Sequence, residues 1–386
     1  MGDPKSKVTN PILDFKTLYQ QVVTMIKEGN LKFNTISEEL KNAFLKFNDS
    51  YHNEQLELIS NLSKIQDLPE EMDNVVKKYP WFDTLPDHML KEIGSHIVEE
   101  KDKSAFVATG ERVHTLFQAD RLSPCFLQYV AYGKQDEAEN LFTRFKQEEK
   151  KQELLCKPGT FTDYSHREFS CTAYEYAYWA KDKHMCRMLE KQMDDNTKSQ
   201  MLKRCEDIEK NGLTYKQNGV EVKGSKHFDF TPLKTALKNY IDGYDNWYKT
   251  NNWTAMKAAW MQVGMAQREL PVHVINEYCR KDRSFDPAPK FNEDSLPREV
   301  AFYNYQTGRA EVLFPLQAIA TSGLGVDFAL YRGAGGRVRV GESRGGTRSV
   351  PIDLAAVSRL DEVRSADLTQ SLENLKAVDP VHKLGK

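Results

Sequence analysis

Cysteine and histidine are the residues of this 386-residue chain that could carry covalent chemistry, with Cys156, Cys171 or Cys186 as nucleophile and His166, His184 or His273 as base. Their spacing selects no pair. Cys171 and Cys186 stand beside apolar positions of helical pattern, where a free cysteine acts as a small hydrophobe. With Cys125, Cys205 and Cys279 they form no Cys-x-x-Cys pair, which signals neither a zinc site nor a disulfide framework and suits a reducing, cytoplasmic compartment. Glu92 and His96 lie one helical turn apart, yet two ligands do not make a metal site, and His88, His96 and His114 read as solvated or capping residues. Between Tyr331 and Ser349 six glycines accompany five arginines: Arg332, Arg337, Arg339, Arg344 and Arg348. No Gly-Lys-Ser or Gly-Lys-Thr follows, so this is not a phosphate-binding loop. Aromatic rings are not interleaved through it, so a solvated basic loop fits better than a nucleic-acid contact. No metal or cofactor is expected.

The elements that must position these groups are mostly helices. Ile12, Phe15, Leu18, Val22 and Ile26 recur at helical steps between Asn10-Pro11 and Gly29, and Ile36 to Ile65 repeats the spacing, so residues 1–75 read as a helical hairpin. In residues 76–122, Leu85-Pro86 opens a helix carrying Met89, Leu90, Ile93 and Ile97, and a second pattern runs from Ala105-Phe106 to Leu116-Phe117. Residues 123–292 hold helix pairs, an Asn218-Gly219 hairpin, and an aromatic cluster of Tyr240, Tyr244, Trp247, Tyr248, Trp253 and Trp260. That cluster reads as packed helices, with a binding surface as the alternative. Residues 293–386 carry a second hairpin about Gln306-Thr307-Gly308, the Gly/Arg-rich loop, and a last helical pattern from Leu354 to Leu375. The expected fold is mainly α and multi-domain, with one or two inserted β-hairpins. The charges, 54 basic against 56 acidic, exclude an overall field for nucleic acid. No apolar run reaches the ~20 residues of a membrane span, and the start lacks a signal peptide's apolar region.

The order Leu85-Pro86, Met89-Leu90, Ile93, Ile97, Phe106, Phe117 resembles the F-box, a three-helix motif whose opening Leu-Pro turn docks on a Skp-family adaptor of cullin ubiquitin ligases. The resemblance implies that Leu85, Pro86, Met89, Leu90, Ile93 and Ile97 bind the adaptor. Val107-Ala108-Thr109-Gly110 departs from the Val-Cys-Arg pattern common there. Thr172-Ala173-Tyr174-Glu175-Tyr176-Ala177 and Thr231-Pro232-Leu233-Lys234-Thr235-Ala236 resemble the Thr-Pro-Leu-His-x-Ala start of ankyrin repeats, with Glu175 and Lys234 in place of the histidine. Ser123-Pro124 begins a similar stretch.

Together these features resemble the F-box effectors that intracellular bacteria translocate into host cytoplasm. The implied function is recruitment of a ubiquitin ligase to an unknown target, with no catalytic residue in the chain. A non-ligase helical scaffold is the first rival. The second rests on Leu330-Tyr331-Arg332-Gly333, which looks like the strand that brings a dinucleotide-binding arginine into ADP-ribosyltransferases, although no Glu-x-Glu follows.

Overall fold

The computed structural model of the chain describes residues 85–97, 100–280, 282–298, 301–304, 309–312, 324, 329–332, 339–341 and 349–376. The hairpin expected before residue 75, and Arg337, Arg344 and Arg348, lie outside these residues. The chain divides into two compact units, the boundary in sequence falling between Gln118 and Ala119.

The described part of the first unit is three short helices: α1 (Asp87–His96), α2 (Glu100–Val107) and α3 (Glu111–Leu116). Pro86 is spared an amide hydrogen bond at the helix start, and its carbonyl accepts from the amides of Met89 (3.0 Å) and Leu90 (3.2 Å). The apolar pattern closes on itself: Leu85, Leu90, Ile93, Ile97, Phe106, Val113 and Leu116 form one core, with Met89 and Phe117 against its edge. Phe117 meets Phe106 edge to face at 5.6 Å, and Gly94 makes the room, since a Cβ there would lie 2.5 Å from the Phe117 ring.

The second unit begins with α4 (Gln118–Ala131), α5 (Gln135–Phe142) and α6 (Glu148–Cys156). Strands β1 (Gly159–Thr162) and β2 (Arg167–Cys171) follow, then α7 (Ala173–Trp179), α8 (Lys183–Gln192) and α9 (Asp195–Asn211). Next come β3 (Leu213–Gln217), β4 (Val220–Ser225), the long pair α10 (Thr231–Lys249) and α11 (Trp253–Arg268), and α12 (Val272–Cys279). Two small hairpins, β5 (Ala301–Asn304) with β6 (Arg309–Val312) and β7 (Ala329–Tyr331) with β8 (Arg339–Gly341), precede α13 (Ser349–Leu375).

The chain is thus mainly helical, with more strand than the sequence reading allowed. The Asn218-Gly219 turn forms with positive φ at both residues (51° and 79°), as a tight hairpin requires. Its strands belong to a four-stranded antiparallel sheet in the order β1-β2-β3-β4. The residues between Thr162 and Arg167, ahead of the Thr172 start, connect β1 to β2. The sheet's inner face presents Phe161, Phe169 and Tyr215 to Tyr176 and Trp179 of α7. Burial on both sides explains why every residue of α7 is enclosed.

The ankyrin-like starts take three different forms. Thr172 caps α7 in a capping box, accepting from the Glu175 amide at 3.3 Å while Glu175 Oε2 accepts from the Thr172 amide at 2.8 Å, so the glutamate has a capping role of its own. Thr231 is the first residue of α10, and Lys234 reaches across to Asp361 of α13 at 2.7 Å. Ser123 lies inside α4, buried and away from any helix start. The helix α13 packs on α8, α9 and α10, so the chain beyond residue 293 contributes to the core of the second unit.

Candidate functional site

The long pair α10 and α11 divides the aromatic cluster in two. At its base Tyr240 and Trp260 are buried with ring centroids 4.9 Å apart. Towards the turn the rings come to the surface. Tyr244 and Tyr248, one helical turn apart, stack at 6.0 Å and 13°, and Tyr248 meets Trp253 edge to face at 5.7 Å. Tyr248 is 57% and Trp253 41% exposed, two of the large apolar side chains most open to solvent among the described residues. The turn that carries them is closely tied. Thr250 Oγ1 donates to the Asn246 carbonyl at 2.7 Å, the Asn252 amide donates to the Trp247 carbonyl at 2.8 Å, and Asn252 caps α11 by accepting from the Ala255 amide at 3.1 Å. Gly243 lets the Trp247 indole lie flat on α10, because a Cβ would stand 2.2 Å from that ring. The result is a fixed, amphipathic aromatic tip.

The six residues expected to bind an adaptor are distributed unevenly. Leu85, Leu90, Ile93 and Ile97 are buried in the core of the first unit, because α2 and α3 cover the apolar face of α1. Pro86 is exposed and Met89 half-buried, so these two remain at the surface of the motif. Sequence spacing finds an apolar stripe but does not say which element covers it.

Arg332 is fully enclosed. Its Nη1 donates to the carbonyls of Glu277 (3.1 Å) and Tyr278 (2.7 Å), its Nη2 donates to the carbonyl of Arg283, and its amide donates to both Asp353 oxygens at 3.2 and 3.0 Å. Burial, with Arg283 nearby, lowers its pKa. The guanidinium ties the loop after α12 to the end of β7, and its donors point into the protein rather than toward a dinucleotide. Of the other loop arginines, Arg339 lies in β8.

Of the candidate cysteines and histidines, Cys171, Cys186, His184 and His273 are buried, Cys156 is half-buried and His166 is exposed. Burial pushes the Cys171 and Cys186 thiols far up, and Cys156 upward, which disfavours the thiolate. His273 is enclosed in α12 with neither ring nitrogen hydrogen-bonded, and burial brings its pKa down to about 3. Burial likewise brings His184 down to about 4, with its Nδ1 3.3 Å from the Asp294 carbonyl. Both interact with Asp182, whose carboxylate accepts from Arg298 at 2.8 and 3.1 Å; burial alone would raise its pKa, and Arg298 holds it well below the ordinary range. The space beside His273 and Asp182 is too small for a water molecule. Among the described residues no group of three or more His, Cys, Asp or Glu side chains is placed to hold a metal ion. None of their helices is long and apolar enough to cross a membrane.

Sequence reading missed a second charged centre. The Glu277 carboxylate, 1% exposed, accepts from Arg280 (3.5 Å), from Arg283, and from Arg364 of α13 (3.4 Å). The signal was present as the run Arg280-Lys281-Asp282-Arg283 directly after an apolar helix.

Residues 232–375, which include the aromatic tip, the Glu277 centre and α13, match the family model described as the CBUA0006 C-terminal domain. The chain is similar to an uncharacterized protein, CBUA0006, of Coxiella burnetii (strain RSA 493 / Nine Mile phase I). The two are 37% identical over 276 residues, 68% of this chain and 77% of the relative. No solved structure matches the chain.

Proposed function

The chain belongs to the CBUA0006 family, and from that premise we propose that it works as a binding protein, a helical scaffold whose contact surface is the aromatic tip of α10 and α11. The observation that carries this reading is the exposure of Tyr248 and Trp253 on a turn whose backbone and underlying rings are fixed. Tyr and Trp are enriched where binding energy concentrates, and a rigid tip loses little conformational entropy on contact. Partners captured by the full chain should be compared with those captured by a Tyr248→Ala, Trp253→Ala variant, with helical content checked by circular dichroism. A partner that uses the tip is expected to bind the double variant at least about tenfold more weakly, the usual loss for a central aromatic anchor. Equal binding of every partner by the folded variant overturns the assignment.

The F-box reading keeps one observation in its favour: Pro86 is exposed at the start of α1 with Met89 beside it, as an opening Leu-Pro turn that docks elsewhere requires. Under that reading the chain recruits a Skp-family adaptor and a cullin ligase to a target and acts by raising local concentration. Leu85 and Leu90 are unsuitable probes, since truncating a buried leucine costs about 2–5 kcal/mol of stability by itself. A Pro86→Ala, Met89→Ala variant tests the surface alone. Stoichiometric co-purification of a Skp-family adaptor with the wild type, and its loss in this variant, is the outcome this reading expects. Failure of the folded wild type to bind removes it.

A further inference from the structure

The four-stranded sheet has two unlike edges. On β1 the edge is attended by α4, whose Gln128 side chain donates to the Thr162 carbonyl at 2.9 Å. On β4 the side chains are open: Val220 is 63% exposed, and the side chains of Glu221 and Lys223 are 47% and 73% exposed. An antiparallel edge strand presents alternate backbone N–H and C=O groups for a further strand, which is the basis of recognition by strand addition.

The sequence of β4 says which strand would suit it. Val222 pairs with Tyr215 and so shares that side's inner face, while Glu221 pairs with Lys216 on the outer face, where Glu221 and Lys223 are 2.9 Å apart. The run Glu221-Val222-Lys223 is complementary to itself when reversed. We propose that β4 pairs antiparallel with β4 of a second copy of this chain about a twofold axis at Val222, joining two four-stranded sheets into one of eight. In that register Glu221 of each copy stands opposite Lys223 of the other, and the two Val222 side chains meet on the inner face. A two-residue slip brings Glu221 against Glu221 or Lys223 against Lys223, and a one-residue slip turns the inner face outward, so charge and pleat select one register. The irregularity between β3 and β4, with Gly224 at a φ of 72°, limits the paired stretch to the hairpin-proximal part of the strand.

Sedimentation velocity of the full chain over a concentration series, at low and at high salt, tests the pairing. The wild type is expected to dimerise more strongly at low salt, where exposed charge pairs are least screened. Glu221→Lys and Lys223→Glu each place like charges opposite one another and should weaken self-association at least tenfold. An equimolar mixture of the two should recover it, because a strand bearing two lysines then faces a strand bearing two glutamates. Both substitutions are at exposed positions, and an unchanged melting temperature shows that each variant is folded. A wild type that stays monomeric throughout, or a dimer indifferent to both variants and to their mixing, overturns the proposal.

Discussion

Glu277→Ala is expected to destabilise the second unit by about 3–5 kcal/mol, the usual loss when one partner of a buried ion pair is removed. The reason is the number of charges that depend on this carboxylate. Arg280, Arg283 and Arg364 converge on it from the end of α12, the following loop and α13. Each has a further acceptor: Arg280 pairs with Asp282 at 2.6 Å, Arg283 with Glu293, and Arg364 with Asp367 at 3.0 Å. Those acidic partners lie toward the surface, with side chains 56%, 37% and 20% exposed. Arg364 is entirely enclosed, so loss of Glu277 leaves its guanidinium without a neutralising charge at the same depth. Chemical denaturation measures the loss directly. Coupling is read from Arg364→Met, which removes the charge but keeps an apolar chain. Its cost should be smaller in the Glu277→Ala background than in the wild type. A loss under about 1 kcal/mol for Glu277→Ala would show that the cluster is neutralised some other way.

Acidification should have nearly as large an effect, and its direction follows from the histidines. His273 and His184 titrate in the folded chain at about 3 and about 4, against about 6.5 in the unfolded chain. Between these values the unfolded state binds the protons and the folded state does not, so stability is complete above about pH 6.5 and is lost as pH falls toward 4. Each histidine contributes at most about 1.4 kcal/mol per pH unit across that window, so the pair removes about 3–4 kcal/mol between pH 7 and pH 5. The charges facing them are mixed. Asp182 favours the protonated form of each, whereas Arg298 and Arg364 disfavour it, and Lys183 adds to the positive side for His184. Asp182 acts in the same sense but at lower pH, its contribution persisting down to the ordinary carboxylate range and lost only below it. Thermal melts from pH 7 to pH 5 should therefore fall by about 10 °C for a unit of this size. A His273→Leu, His184→Leu variant should lose most of that slope. An unaltered slope would place the acid sensitivity elsewhere.

Helices were the most legible part of the fold, because most show one apolar stripe against a polar remainder. Leu354 to Leu375 marked α13, and Leu85-Pro86 marked the start of α1, within a few residues of where they lie. The Asn218-Gly219 hairpin was legible for a different reason, that its turn needs residues tolerant of positive φ. Strands β1 and β2 escaped because only their inner residues, Phe161 and Phe169, are apolar enough to notice, and four or five residues carry little periodicity. Strand β8 escaped because it borders a glycine-rich segment that reads as loop, whereas Leu330-Tyr331 of β7 was read as strand through the resemblance around Arg332.

The site was less legible than the fold. An apolar stripe such as Leu90, Ile93 and Ile97 has the same spacing whether it meets a partner or the chain's own α2 and α3, and only the fold distinguishes these. The aromatic cluster poses the same difficulty: Trp260 and Trp253 are seven residues apart on one helix, yet one is enclosed and the other open. Arg332 drew notice for its neighbours in sequence, whereas its role depends on the carbonyls at the end of α12, 54 and 55 residues earlier.

The helix α13 receives Lys181 and Lys234 on Asp361 and supplies Arg364 to Glu277. Every one of these contacts joins it to chain made at least 87 residues before. During synthesis, Lys181, Lys234 and Glu277 therefore leave the ribosome well ahead of the segment that completes their pairing. The nascent second unit can form its earlier helices and its sheet, but Lys181, Lys234 and Glu277 lack these partners until α13 emerges, and the unit reaches full stability only then.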